Sequence, residues 1–150
     1  MNNLLYEDIP KYDFWLKSIL GGVLALTFIL GVILISDDIG VALVLFGVTL
    51  FDALLFKTIL PSRFQIFEDR LRIVLGWNLA HNIPLSNIVD ARSVSSSKVF
   101  AYWGIRFATS TRFVVEIVCK KGLNVIISPS KGDIFLEQLN QARELVSSPN

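Results

Sequence analysis

The sequence predicts an α-helical transmembrane hairpin joined to a small, mainly-β barrel or sandwich that is capped by a C-terminal α-helix. Three observations carry that class. Two long apolar runs lie between residues 18 and 56, apolar and polar residues alternate after Pro61, and helical spacing returns near the end. Hydrophobic residues make up 53% of the 150 and the mean hydropathy is +0.57, above an ordinary soluble domain. A chain of this length holds one small domain plus an anchor.

The first run, Ser18–Ser36, is 19 residues without a charge. At 1.5 Å per residue it reaches about 28 Å, the thickness of a bilayer's hydrocarbon layer. Its length and the acidic residues before it argue against a cleaved signal peptide. Asp37 and Asp38 make the turn, with Asp38 or its neighbour placed to cap a second span over residues 39–56 that is interrupted only by Asp52. Lys11 and Lys17 precede the first span, the turn carries only acids, and Lys57, Arg63, Arg70 and Arg72 follow the second. By the positive-inside rule both termini face the cytoplasm, and Phe14 and Trp15 suit an interfacial belt at that end. Gly21 with Ala25, and Gly40 with Gly47, offer small-residue faces for helix packing.

Residues 1–60 thus read as an N-terminal tail and anchor, and residues 61–150 as the β domain. In that domain "RFQIF" and "LRIVLG" alternate around the turn "EDR" and read as a β-hairpin. Gly76-Trp77-Asn78 reads as a turn whose aromatic residue can face the bilayer. Further strands are expected in "NIPLSNIVDARSV", "WGIRFATS", "RFVVEIVCKKG" and "VIISPS", with "SVSSSK" as a loop and "KKGLN" as a turn. Over residues 131–146, Ile134, Leu136 or Phe135, Leu139, Ala142 and Leu145–Val146 recur at helical spacing, with Ser130 or Asp133 at the start, and the final "SSPN" reads as a frayed tail.

These residues resemble a known family, the bacterial pleckstrin-homology (PH)-like membrane proteins, in which two transmembrane helices precede a PH-like domain. "FQIFEDRLRIVLG" is similar to the family's first hairpin. "NIPLSNIVDAR" is similar to its Ile-Pro strand, "YWGIRF" to its Gly-Ile-Arg element, and "VIISPSKGDIFLEQL" to its last strand and capping helix. The resemblance covers about residues 14–145. It implies a bent seven-stranded barrel blocked at one end by the C-terminal helix, a bacterial or archaeal cell membrane as location, and binding or scaffolding rather than catalysis.

Seven acidic and eleven basic residues follow Pro61, a mild basic excess that suits an anionic membrane surface better than nucleic acid. The expected membrane-surface or partner contacts are Arg63, Arg70, Arg72, Lys120 and Lys121. Asp52 is the expected intramembrane helix contact, because a carboxylate within a span is expensive unless paired. Cys119, the single cysteine, allows no intrachain disulfide and reads as a buried strand thiol, while Trp103 reads as core, with a place at an interface as the alternative. His81 is the single histidine and reads as solvated or capping, so no metal site, cofactor or catalytic constellation is expected. The function these features suggest is a non-enzymatic, membrane-anchored module presenting a protein-interaction or lipid-headgroup-contacting surface at the cytoplasmic face. Its expected partners are the lipid bilayer and a protein, with self-association a weaker alternative. Because the first turn is acidic, protein binding leads over headgroup recognition. An accessory or regulatory subunit of a membrane transporter or enzyme complex is the alternative.

Overall fold

The computed structural model describes residues 3–95 and 103–147. The chain forms two compact units. One is the helical hairpin Asp13–Ile59, and the other joins the first twelve residues to the chain from Leu60 onward.

In the hairpin, α1 (Phe14–Leu34) and α2 (Ile39–Ile59) are each 21 residues, long and apolar enough to cross a membrane. Against the expected 18–36 and 39–56, α1 starts earlier, at Phe14, and stops short, at Leu34, while α2 starts as expected and runs on to Ile59. Asp38 caps α2, its Oδ1 accepting the Gly40 and Val41 N–H groups at 2.8 and 3.1 Å. Large apolar side chains face outward all round both helices, as in a membrane span. The expected small-residue faces do not form the helix–helix contact: a side chain at Gly21 or Gly47 would meet nothing within 4 Å. The close approach is instead at Gly31, where a Cβ would lie 2.8 Å from the Phe46 ring. Thr49 Oγ1 donates to Thr27 Oγ1 at 2.9 Å beside it, and Phe28 packs on Phe46.

The second unit begins with a strand that the sequence reading treated as tail. β1 (Leu4–Asp8) pairs antiparallel with β2 (Pro61–Phe67), matching Glu7 to Gln65 and Asp8 to Phe64. The apolar hairpin is therefore an insertion between two neighbouring strands of one sheet. β3 (Arg70–Leu75) and β4 (Ala80–Pro84) complete that sheet in the order β1-β2-β3-β4. Its outer strand β4 ends at Pro84, which has no N–H to offer a ladder. There the expected single strand "NIPLSNIVDARSV" breaks at a 3₁₀ turn, Leu85–Asn87, and the chain crosses into a second sheet. That sheet contains β5 (Ile88–Val94), β6 (Ile105–Phe107), β7 (Val114–Cys119) and β8 (Val125–Ile127) in the order β5-β7-β8-β6. β6 runs parallel to β8. The two four-stranded sheets do not close into a barrel, so the sandwich half of the expectation describes the arrangement.

α3 (Gly132–Ser147) covers the core, one residue off the expected 131–146. Phe135, Leu139 and Ala142, spaced i, i+4, i+7, are buried against Phe64, Ile66, Leu71 and Ile73 of the first sheet and Val115, Ile117, Val125 and Ile127 of the second. Phe135 lies edge-on to both Tyr6 and Phe64, at 6.3 and 6.2 Å between ring centroids. After β1 the chain runs along the end of β8. Ser130 N–H donates to Ile9 O and Lys11 N–H to Ser128 O, both at 2.9 Å, while Thr109 Oγ1 donates to Lys11 O at 2.6 Å. The N-terminal segment so stitches the two sheets together. The Ser96–Lys98 part of the expected loop and the Ser148–Asn150 part of the expected tail lie outside the described residues.

Candidate functional site

Two surfaces of the β unit carry the residues of interest. The first is the outer face of the sheet β1-β2-β3-β4. Strand alternation sends Phe64, Ile66, Leu71 and Ile73 inward, and therefore Arg63, Gln65, Arg70 and Arg72 outward. Cross-strand register lines up Glu7, Gln65, Arg72 and Asn82 as one polar row across all four strands. Gln65 Nε2 donates to Glu7, and Arg63 lies 3.8 Å from the same carboxylate. Arg70 pairs with Asp69 at 3.6 Å and its guanidinium sits 5.7 Å from the Phe67 ring centre. The Nε atoms of Arg70 and Arg72 are buried without a hydrogen-bond partner, a condition buried polar atoms seldom keep.

Lys120 and Lys121 are not part of that face. They occupy the β7–β8 turn of the other sheet, which Asn87 brackets. Lys120 N–H donates to Asn87 O at 2.7 Å, Lys121 N–H donates to Asn87 Oδ1 at 3.0 Å, and Asn87 Nδ2 donates to Lys121 O at 3.0 Å. The five expected contact residues thus divide between two sheets. Asp52 is half-buried on α2 and takes no part in the Arg63–Glu7, Arg70–Asp69 or Arg92–Glu116 ion pairs.

The second surface is the open seam between the outer strands β4 and β6. A cavity of about 310 Å³ lies there, lined by His81 and Ile83 of β4, Ile105 of β6, Cys119 of β7, and Lys121 and Leu123 of the adjoining turn, among others. His81 is half-buried and its ring lies 5.8 Å from that of Phe107. Burial pushes the Cys119 thiol above its ordinary 9.0, which disfavours the thiolate a nucleophile needs. The cysteine is half-buried rather than enclosed, with its N–H held by Asn124 Oδ1 at 3.0 Å. Among the described residues no group of three or more His, Cys, Asp or Glu side chains is placed to hold a metal ion. The recess has a mainly apolar lining with His81, Asn87 and Lys121 among its polar groups.

Two features have no sign in the sequence, and a third departs from its expected place. Asp8, 6% exposed, uses Oδ1 to accept the Ile9 N–H and Oδ2 to accept the Lys131 N–H, each at 2.8 Å, tying β1 to the start of α3. Buried Ser128 accepts the Thr109 and Ser110 N–H groups at 2.8 and 3.1 Å. Trp103, expected in the core, is 96% exposed. The segment "LLYED" shows no apolar–polar alternation, and nothing local names the partner strand of β1.

No protein-family model matches the chain, and no curated protein or solved structure is detectably similar to it.

Proposed function

We propose that this chain is a non-enzymatic, membrane-anchored, PH-like module with two spans and both termini cytoplasmic, which offers a protein-binding surface at the cytoplasmic face of the membrane. The observation that carries the proposal is the splice between anchor and domain. Lys11 and Tyr12 are still bonded into the β unit when Asp13 opens α1. At the other crossing α2 ends at Ile59 and β2 starts at Pro61. A domain tied in at both crossings, with no linker, has no reach into the cytoplasm, so it acts on what comes to the membrane. The order of elements, two sheets followed by a covering C-terminal helix, supports the PH-like reading.

The outer face of the first sheet is the preferred contact surface. Arg63 is 59% and Arg70 41% exposed along the side chain, and such guanidinium groups suit a partner with carboxylates. The test is affinity capture of the full chain in mild detergent, with mass spectrometry of co-purifying proteins and lipids, repeated with Arg63→Glu/Arg72→Glu. The proposal expects a stoichiometric protein that the double variant loses. Recovery of anionic lipid alone, or of a partner indifferent to the double variant, contradicts it.

A further inference from the structure

The turn between β3 and β4 has an unusual backbone. Trp77 sits at φ 57, ψ 31, in the left-handed region where a bulky side chain is an outlier. Strain of that kind persists only where neighbouring structure holds it and is a pointer toward function. Here three hydrogen bonds hold it: Gly76 N–H donates to Leu60 O at 3.2 Å, Leu75 N–H to Leu79 O at 2.7 Å, and Leu79 N–H to Gly76 O at 3.4 Å. The strained turn directs apolar surface outward, with Trp77 62% and Leu79 52% exposed.

Leu60 is the residue directly after the end of α2. The turn is therefore bonded to a point about 3.8 Å along the chain from the end of that helix. An indole combines an apolar body with an N–H tip, the chemistry that settles at the headgroup level of a bilayer. Trp15, on the first turn of α1, is the second indole close to a chain crossing.

We propose that the Gly76–Leu79 turn is a lipid contact, with Trp77 and Leu79 seated in the headgroup layer where α2 leaves the membrane. This rests on the reading of α1 and α2 as membrane spans. The contact adds a third attachment of the β unit to the bilayer beside the two chain crossings.

The test uses the full chain in phosphatidylcholine–phosphatidylglycerol vesicles. Trp15→Phe/Trp103→Phe leaves Trp77 as the sole tryptophan of the three. The proposal expects its emission to lose most of its intensity in lipid brominated near the headgroup and to resist aqueous iodide. Quenching by iodide but not by brominated lipid overturns it. A second protein carries Phe51→Trp with all three native tryptophans changed to Phe, which reports on the middle of α2. Deep-chain bromine must quench this reporter. If it does while Trp77 stays unquenched, the turn contact alone fails, and if it does not, the spanning reading fails and takes the contact with it.

Discussion

Removing the Asp8 carboxylate tests whether β1 is an integral strand of the domain. Asp8 is almost fully buried, and its two oxygens accept the Ile9 and Lys131 amides at 2.8 Å. Lys131 in turn accepts the Phe135 N–H at 2.9 Å, which begins α3. Asp8→Ala leaves two amides without their acceptor in a site with little water. At roughly 1–3 kcal/mol for each buried group left unpaired, and with partial compensation by water at the turn, the expected loss is about 2–4 kcal/mol. Asp8→Asn keeps one acceptor oxygen and turns an NH₂ toward the other amide, so about half that loss is expected. Hydrogen exchange read by mass spectrometry on the full chain resolves where the loss falls. Amides of β1 and of the Lys131–Phe135 turn should exchange roughly 30- to 900-fold faster in Asp8→Ala, the range equivalent to that free energy. Unchanged protection at Lys131–Phe135 would refute the reasoning, because the latch would then not reach α3.

Three further outcomes follow from the same geometry. Gly132→Ala should lower the thermal midpoint, with a loss of about 1–3 kcal/mol, because its Cβ would sit 1.9 Å from the partly buried Phe113 ring. Burial raises the Tyr12 hydroxyl above its ordinary 10.0, so the folded state favours the neutral phenol. That stability is full below pH 10.0 and is lost as pH rises through the higher folded value. Tyr12→Phe, which removes the donation to Pro61 O, should lower stability near neutral pH by about 1 kcal/mol and flatten the alkaline decline in denaturant titrations. Because burial likewise raises the Cys119 thiol, its alkylation by a small maleimide at neutral pH should be slower than that of a free thiol, and urea should bring it to the free-thiol rate.

Much of this fold is written locally, and the remainder is not. The Glu68–Asp69 turn and the alternation on either side of it were enough to place β2 and β3, since a hairpin's partner strands adjoin in sequence. The two long apolar helices and α3 were legible for a similar reason, each being a long segment of one character. β1 was not, because its partner lies beyond the whole anchor and five residues carry no sign of a pairing so distant in sequence. The same remoteness hid the Asp8–Lys131 bond, which joins residues 123 positions apart. Pro84 marked a strand entry in the sequence and turned out to end β4, because a proline tolerated at the outer strand of a sheet serves equally well as the corner into the next. The basic residues could be counted but not grouped. Strand parity puts Arg63, Arg70 and Arg72 on one face, whereas Lys120 and Lys121 follow the β7–β8 turn to the other sheet. Trp103 shows the limit of reading aromatics by type, since an indole has both a core use and a surface use.

The central claim is that one β domain is tied at two points to a hairpin crossing the membrane, with the domain on the cytoplasmic side. Single cysteines placed by Asn3→Cys, Asp37→Cys and Ser62→Cys in a Cys119→Ser background, all at exposed positions, test it most directly with a membrane-impermeant maleimide on intact cells. The account predicts that Asp37→Cys is labelled from outside, while Asn3→Cys and Ser62→Cys are labelled only after permeabilisation. Labelling of Asn3→Cys and Ser62→Cys from opposite sides, or protection of Asp37→Cys in intact cells, would contradict it.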